Sequence, residues 1–227
     1  MFRTRKCVGL FSSATEVTGK IFGLLAVALV LTIGVTCLGP AALAQDGNSQ
    51  SFQVGYYGNA NMGFPDATMH IINPGSSGGT SPYGDLCANI YVFIADQQLT
   101  ECCSCLVTPN GMRGFSLNTD LSANPLTGPG ALPHAGAIKI VSSRVPPGGC
   151  DAGTWYEPRG QLRSLITHVR NTTVTATNNW TATEAEFSTA PLGYDEYQKL
   201  VNLCFDIEGG GLNLGSGQGI CGCGAEF

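Results

Sequence analysis

Leu86–Ala95 (LCANIYVFIA) and Gln98–Val107 (QLTECCSCLV) are the two stretches that decide the fold. The first is apolar at nearly every position, as in a strand covered on both faces. The second follows across a short turn at Asp96-Gln97, so the pair predicts an antiparallel hairpin. Side chains alternate across a strand, so Cys103 and Cys105 share one face and Cys102 takes the other.

Similar short runs, broken by Gly, Pro, Asn and Asp, lie on either side. They are Ala67–Asn73 (ATMHIIN), Met112–Asn118, Ala135–Ser143 (AGAIKIVSS), Leu162–Arg170 (LRSLITHVR), Thr172–Thr177 (TTVTAT) and the weaker Thr183–Ser188. This spacing predicts an all-β, Ig-like or Greek-key antiparallel sandwich of about seven to nine strands. One segment departs from it. Pro191–Phe205 (PLGYDEYQKLVNLCF) has the period of a helix, with Tyr194, Tyr197, Val201, Cys204 and Phe205 near one face. Asp195 and Glu196 fall in its first turn, where the helix dipole favours anions, and Gly209-Gly-Gly211 ends it. The expectation is one short helix near the C-terminus.

The chain has 227 residues, with 43% hydrophobic and only 12% charged. That composition excludes a disordered polyelectrolyte. A formal charge of −5 argues against nucleic acid, whose phosphates demand clustered Lys and Arg. The first 44 residues run from basic (Met1–Lys6) through apolar (Ile21–Leu38) to small residues ending Ala42-Leu-Ala44. That order is a secretory signal peptide, and it would touch a membrane only if left uncleaved. Removing Arg3, Arg5, Lys6, Lys20 and Glu16 leaves 7 basic against 15 acidic side chains, net −8. The expected domain is 64–227, preceded by a flexible 45–63 extension. The expected location is secreted or at the cell surface.

Eight cysteines remain beyond the leader: Cys87, Cys102, Cys103, Cys105, Cys150, Cys204, Cys221 and Cys223. An even count after export reads as a disulfide framework. If the C-terminal segment runs beside 98–107, Cys103 and Cys105 could bridge to Cys221 and Cys223, leaving Cys87, Cys102, Cys150 and Cys204 for two more. Eight cysteines allow 105 pairings, so sequence leaves the partners open. The rival is a thiolate metal site, but Cys-x-Cys is not the zinc-knuckle spacing and exported thiolates oxidise. No cofactor is implied.

Several motifs imitate catalysis. Gly75-Ser-Ser-Gly-Gly79 matches a nucleophile elbow, but Gly79-Thr-Ser-Pro-Tyr-Gly84 cannot supply the helix that must follow. The Gly-x-Gly-x-x-Gly at 217–222 lies too near the terminus for a pyrophosphate-binding helix. His70, His134 and His168 lack metal spacing, and Asn118–Asn124 lacks the Gly and closing Glu of a calcium loop. Asn171-Thr-Thr and Asn179-Trp-Thr match N-glycosylation sequons, which also arise by chance. Trp155 and Trp180 could stack on sugar rings; the plainer reading is packing. Near the N-terminus, Phe52, Val54 and Tyr56 alternate in a run tethered by Gly58–Gly63, as a strand donated to a neighbouring copy would. The plainer reading is that it folds onto its own sheet.

Taken together, Leu86–Phe93, Asp96–Gly111, Ser116–Leu121, Glu184–Phe187 and the closing Gly-x-Gly-x-Cys-x-Cys-Gly resemble a family of uncharacterised secreted, cysteine-rich bacterial proteins. The resemblance covers residues 67–224 and implies export and a disulfide-linked β domain. It implies no activity. Three functions are therefore expected in order: an extracellular structural or adhesive protein, such as a filament subunit joining copies of itself by strand donation; a carbohydrate-binding module recognising surface glycans; and a secreted hydrolase. A non-enzymatic role is the expectation.

Overall fold

The computed structural model describes residues 50–126, 132–171, 179–210 and 218–227. The leader, Gln45–Ser49 and the 172–177 run lie outside them.

Ten strands are present among the described residues, arranged in two antiparallel five-stranded sheets. They are β1 (Phe52–Gly58), β2 (Thr68–Ile72), β3 (Leu86–Ile94), β4 (Leu99–Val107), β5 (Met112–Ser116), β6 (Ala135–Arg144), β7 (Arg163–Asn171), β8 (Trp180–Glu186), β9 (Ser188–Thr189) and β10 (Ala225–Glu226). One sheet has the order β4-β3-β6-β1-β9 and the other β10-β5-β2-β7-β8. The fold is an all-β sandwich, with helix α1 (Tyr194–Phe205) near the C-terminus.

The core has two layers. Between the sheets lie Met69, Ile71, Ile90, Phe115, Ile138, Ile140 and Ile166, with Cys103 and Cys105 among them. On the outer face of the first sheet, α1 covers a second cluster containing Tyr91, Phe93, Cys102 and Val141. Hence β3 is buried on both sides, eight of its nine residues fully so, and its unbroken apolar run is explained. The buried face of α1 is Tyr197, Leu200, Val201 and Cys204, each side chain worth on the order of 2 kcal/mol when removed from water. Tyr194 and Phe205, expected on that face, are exposed instead. They are the first and last residues of the helix.

The β3–β4 hairpin closes as expected. Gln97 adopts a positive φ of 75°, and the Asp96 side chain accepts from the Gln98 N–H at 3.1 Å. Asn73, fully buried, ties three turns together: its amide donates to the Gly84 and Val107 carbonyls, and its oxygen accepts from the Gly75 N–H.

All eight cysteines among the described residues are bridged: Cys87–Cys150, Cys102–Cys204, Cys103–Cys221 and Cys105–Cys223. The tail lies along the open edge of β4, held by Cys102 N–H to Gly219 and Cys221 N–H to Cys102. It then crosses to the second sheet, where β10 pairs with β5.

Two expectations are corrected. The 45–63 segment is not a loose extension throughout, because β1 pairs along its whole length with β6 and at Gln53 and Val54 with β9. Phe52, Val54 and Tyr56 therefore belong to a strand already seated in its own sheet. Both faces of the alternation are used: Phe52 and Val54 pack under the helix layer, while Tyr57 enters the inter-sheet core. A strand with two half-covered faces looks like a detached amphipathic one when read alone.

Candidate functional site

The chain between β6 and β7 is irregular yet held at many points from Cys150 to Arg159. Cys150 is tied to Cys87 at the start of β3. Asp151 accepts from the Gly153 N–H and the Thr154 hydroxyl, both at 2.8 Å. The Tyr91 hydroxyl donates to the Ala152 carbonyl at 3.0 Å, and the Tyr197 hydroxyl donates to the Tyr156 carbonyl at 3.0 Å. Further along, Arg159 N–H donates to Ser142 and Arg144 N–H to Glu157.

Within this frame Trp155 keeps 43% of its surface exposed. Its ring lies 6.0 Å from that of Tyr197. With Pro146, Pro147 and Tyr156 it forms a shelf around a cavity of about 370 Å³, edged by Arg144 and Glu157. Arg144 also lines the neighbouring cleft of about 390 Å³, where Arg159, Asp85 and Tyr83 converge. Tyr83 is 82% exposed. None of the four ion pairs among the described residues involves Arg144 or Arg159. Asp85 is engaged by the Ser81 hydroxyl at 2.9 Å, so the cleft carries two guanidiniums against one carboxylate.

The loop is backed by a carboxyl pair. Burial, reinforced by a hydrogen bond and charge from Asp151, pushes the Glu208 carboxyl up to about 7, against a pull downward from the Gly153 N–H. A second raised carboxyl, Glu101, lies in the sandwich interior, where burial takes it to about 7. His168 is held below its ordinary value by burial and by the charge of Arg170, and its ring stacks on Tyr56 at 4.2 Å.

Comparison with family models, curated proteins and solved structures finds no match. The site therefore rests on its own geometry.

The other residues singled out in the sequence fall elsewhere. Trp180 packs edge-on against Phe64 at 5.0 Å and is not on the shelf, so its ring serves packing. Asn171 and Asn179 are both exposed and flank the segment outside the described residues. Gly75–Gly79 is followed by turns and then β3, not by the helix an elbow needs. His70, His134 and His168 sit on separate partners: Glu184, the Ala60 carbonyl and Tyr56. Among the described residues the one set of metal-type donors in mutual reach is Cys102, Cys204 and Glu208, and its two sulfurs are already bonded to each other. Asn118–Asn124 opens in the helical turn Leu117–Leu121, where Asp120 accepts from the Ser116 N–H.

Sequence reasoning flagged Trp155 but missed Tyr83, Arg144 and Arg159. Each arrives from a different segment, and no local spacing announces their meeting. The one usable signal was Pro146-Pro-Gly-Gly-Cys150: a turn ending in a bridged cysteine marks a loop held in one conformation.

Proposed function

We propose that this chain is an exported, extracellular adhesive protein that holds a glycan against the Trp155 shelf. One observation carries the reading: an exposed tryptophan stands on a loop fixed by a disulfide and by hydrogen bonds at both flanks. A large apolar side chain exposed at the surface costs solvation, and a rigid frame removes the ordering entropy that binding would otherwise cost. An indole face suits the C–H-rich face of a pyranose ring. Arg144 at its edge and Arg159 in the adjoining cleft suit a carboxylate or sulfate on that glycan, since Arg grips such groups through two parallel N–H donors.

Four disulfides support an oxidising compartment, the one expected from the basic-apolar-small order of the leader. Among the described residues no helix is long and apolar enough to cross a membrane. The resemblance to uncharacterised secreted proteins points the same way. Assembly by donating β1 to a neighbour would first break its pairing with β6 and β9.

A glycan array carrying neutral, uronate-containing and sulfated chains tests the proposal. The expected result is binding to acidic glycans that falls at least about tenfold in Trp155→Ala, the loss typical of a buried aromatic anchor. No binding to any glycan, or binding that Trp155→Ala leaves intact, refutes it.

A further inference from the structure

A larger cavity, of about 560 Å³, opens beside the crossing from β8 to β9. Its walls come from the first residues of β1 and β7 and from Glu186–Thr189. Gln53 and Ser164 are both 97% buried, at positions where the neighbouring inward residues Tyr57 and Ile166 are core. Gln53 donates its amide to the Leu162 carbonyl. The Ser164 carbonyl accepts the Phe187 N–H at 2.9 Å, whereas its hydroxyl has no partner among the described residues. A buried hydroxyl without a hydrogen bond is destabilising, and cores ordinarily avoid it.

The lining states what would satisfy it. Gln50, Gln53 and Gln161 bring carboxamides, and Ser164, Ser188 and Thr189 bring hydroxyls, all groups able to donate and accept. Arg163 and Glu186 are the charged residues in the wall; they lie 3.4 Å apart and cancel. Leu162 and Phe187 add apolar surface. A net-neutral wall offers nothing to an ion. Alternating donors and acceptors over apolar patches match a ring of hydroxyls with C–H faces.

We propose that this cavity binds an uncharged saccharide unit, with the Ser164 hydroxyl as an inner hydrogen-bonding group, at a site separate from the Trp155 shelf. The volume falls within the ~300–1,000 Å³ of small-molecule sites.

Saturation-transfer NMR with methyl glucoside, methyl galactoside and methyl mannoside, each at ~10 mM to reach weak affinities, tests this. Support is transfer to at least one glycoside that persists in Trp155→Ala, weakens about tenfold in Ser164→Ala, and shifts the side-chain amide resonances of Gln53 and Gln161. Ser164→Ala removes one oxygen and keeps the backbone, and a melting temperature no lower than the parent's establishes that the variant is folded. No transfer to any of the three overturns the inference. So does transfer that Trp155→Ala abolishes and Ser164→Ala leaves alone, a result that would assign neutral sugars to the shelf. Failure of acidic glycans on the array, with Ser164-dependent binding here, removes the shelf and leaves this cavity standing.

Discussion

Cys102 and Cys103 are adjacent in the chain, yet their bridges leave β4 from opposite faces: Cys102 reaches Cys204 on α1, and Cys103 reaches Cys221 in the tail. The two-residue period of a strand forces this divergence. A single dipeptide thereby joins the helix layer, the first sheet and the C-terminal segment. Cys105 repeats the inward connection to Cys223.

The two tail bridges should act non-additively. Each spans 118 residues, but with Cys102–Cys204 closed either one alone closes an effective ring of about 20 residues, which the loop-entropy model values at about 3 kcal/mol. Once Cys103–Cys221 is closed, however, Cys105–Cys223 closes only a small residual ring, worth about 2 kcal/mol. Cys105→Ser with Cys223→Ser should therefore cost about 2 kcal/mol, as should removal of Cys103–Cys221 alone, and removal of both bridges about 5 kcal/mol. Urea unfolding under non-reducing conditions measures both. Losses that simply add would show that the bridges act independently.

Sequence made the hairpin, the helix and the division of cysteines between two faces legible, because each is a local period of 2 or 3.6. Cys103 and Cys105 do meet Cys221 and Cys223. What sequence could not supply was depth. β8 is exposed along most of its length and reads weakly, and β9 and β10 are two residues each, too short for any period. The shelf was half visible. Trp155 could be picked out by type, but the guanidiniums that give it a chemistry come from the end of β6 and from the β6–β7 loop, and only the topology brings them to the same cleft.

Glu101 should make stability depend on pH. It is fully buried, Asn124 N–H donates to one carboxyl oxygen at 2.9 Å, and the other oxygen has no partner among the described residues. Burial raises its value from 4.5 to about 7, so the folded chain holds this proton more tightly than the unfolded one. The stabilising contribution is complete below about pH 4.5 and is lost as pH rises to about 7. Glu101→Gln removes that dependence. The variant should gain about 3 kcal/mol relative to the parent between about pH 5 and about pH 8. A difference that stays constant between those pH values would mean Glu101 titrates normally.

Gly55 and Phe187 form a packed pair across β1. A Cβ at Gly55 would come within 2.6–2.8 Å of the Phe187 ring, and Phe187 is itself buried. Gly55→Ala should thus cost about 2 kcal/mol through overpacking. Phe187→Leu, costly alone, should become less so in the Gly55→Ala background. A double-mutant cycle on thermal or urea unfolding reads the coupling. Strictly additive costs would place the ring away from Gly55.

The Asp151–Glu208 pair makes a prediction for the shelf itself. Glu208 keeps its proton up to about pH 7 because burial disfavours its charge and Asp151 shares the hydrogen bond. Its carboxyl backs the turn in which Asp151 holds Gly153 and Thr154, next to Trp155. A group raised above its unfolded value supports the folded loop below that value, and the support fades as pH climbs toward 7 and past it. Ionised Glu208 would then face ionised Asp151, and like charges in contact repel. Trp155 emission, isolated by Trp180→Phe, should shift to the red with a midpoint near pH 7 as the indole loses its contact with Tyr197. Glu208→Gln should abolish that transition while leaving the low-pH spectrum unchanged. A spectrum that titrates identically in the variant would sever the carboxyl pair from the shelf.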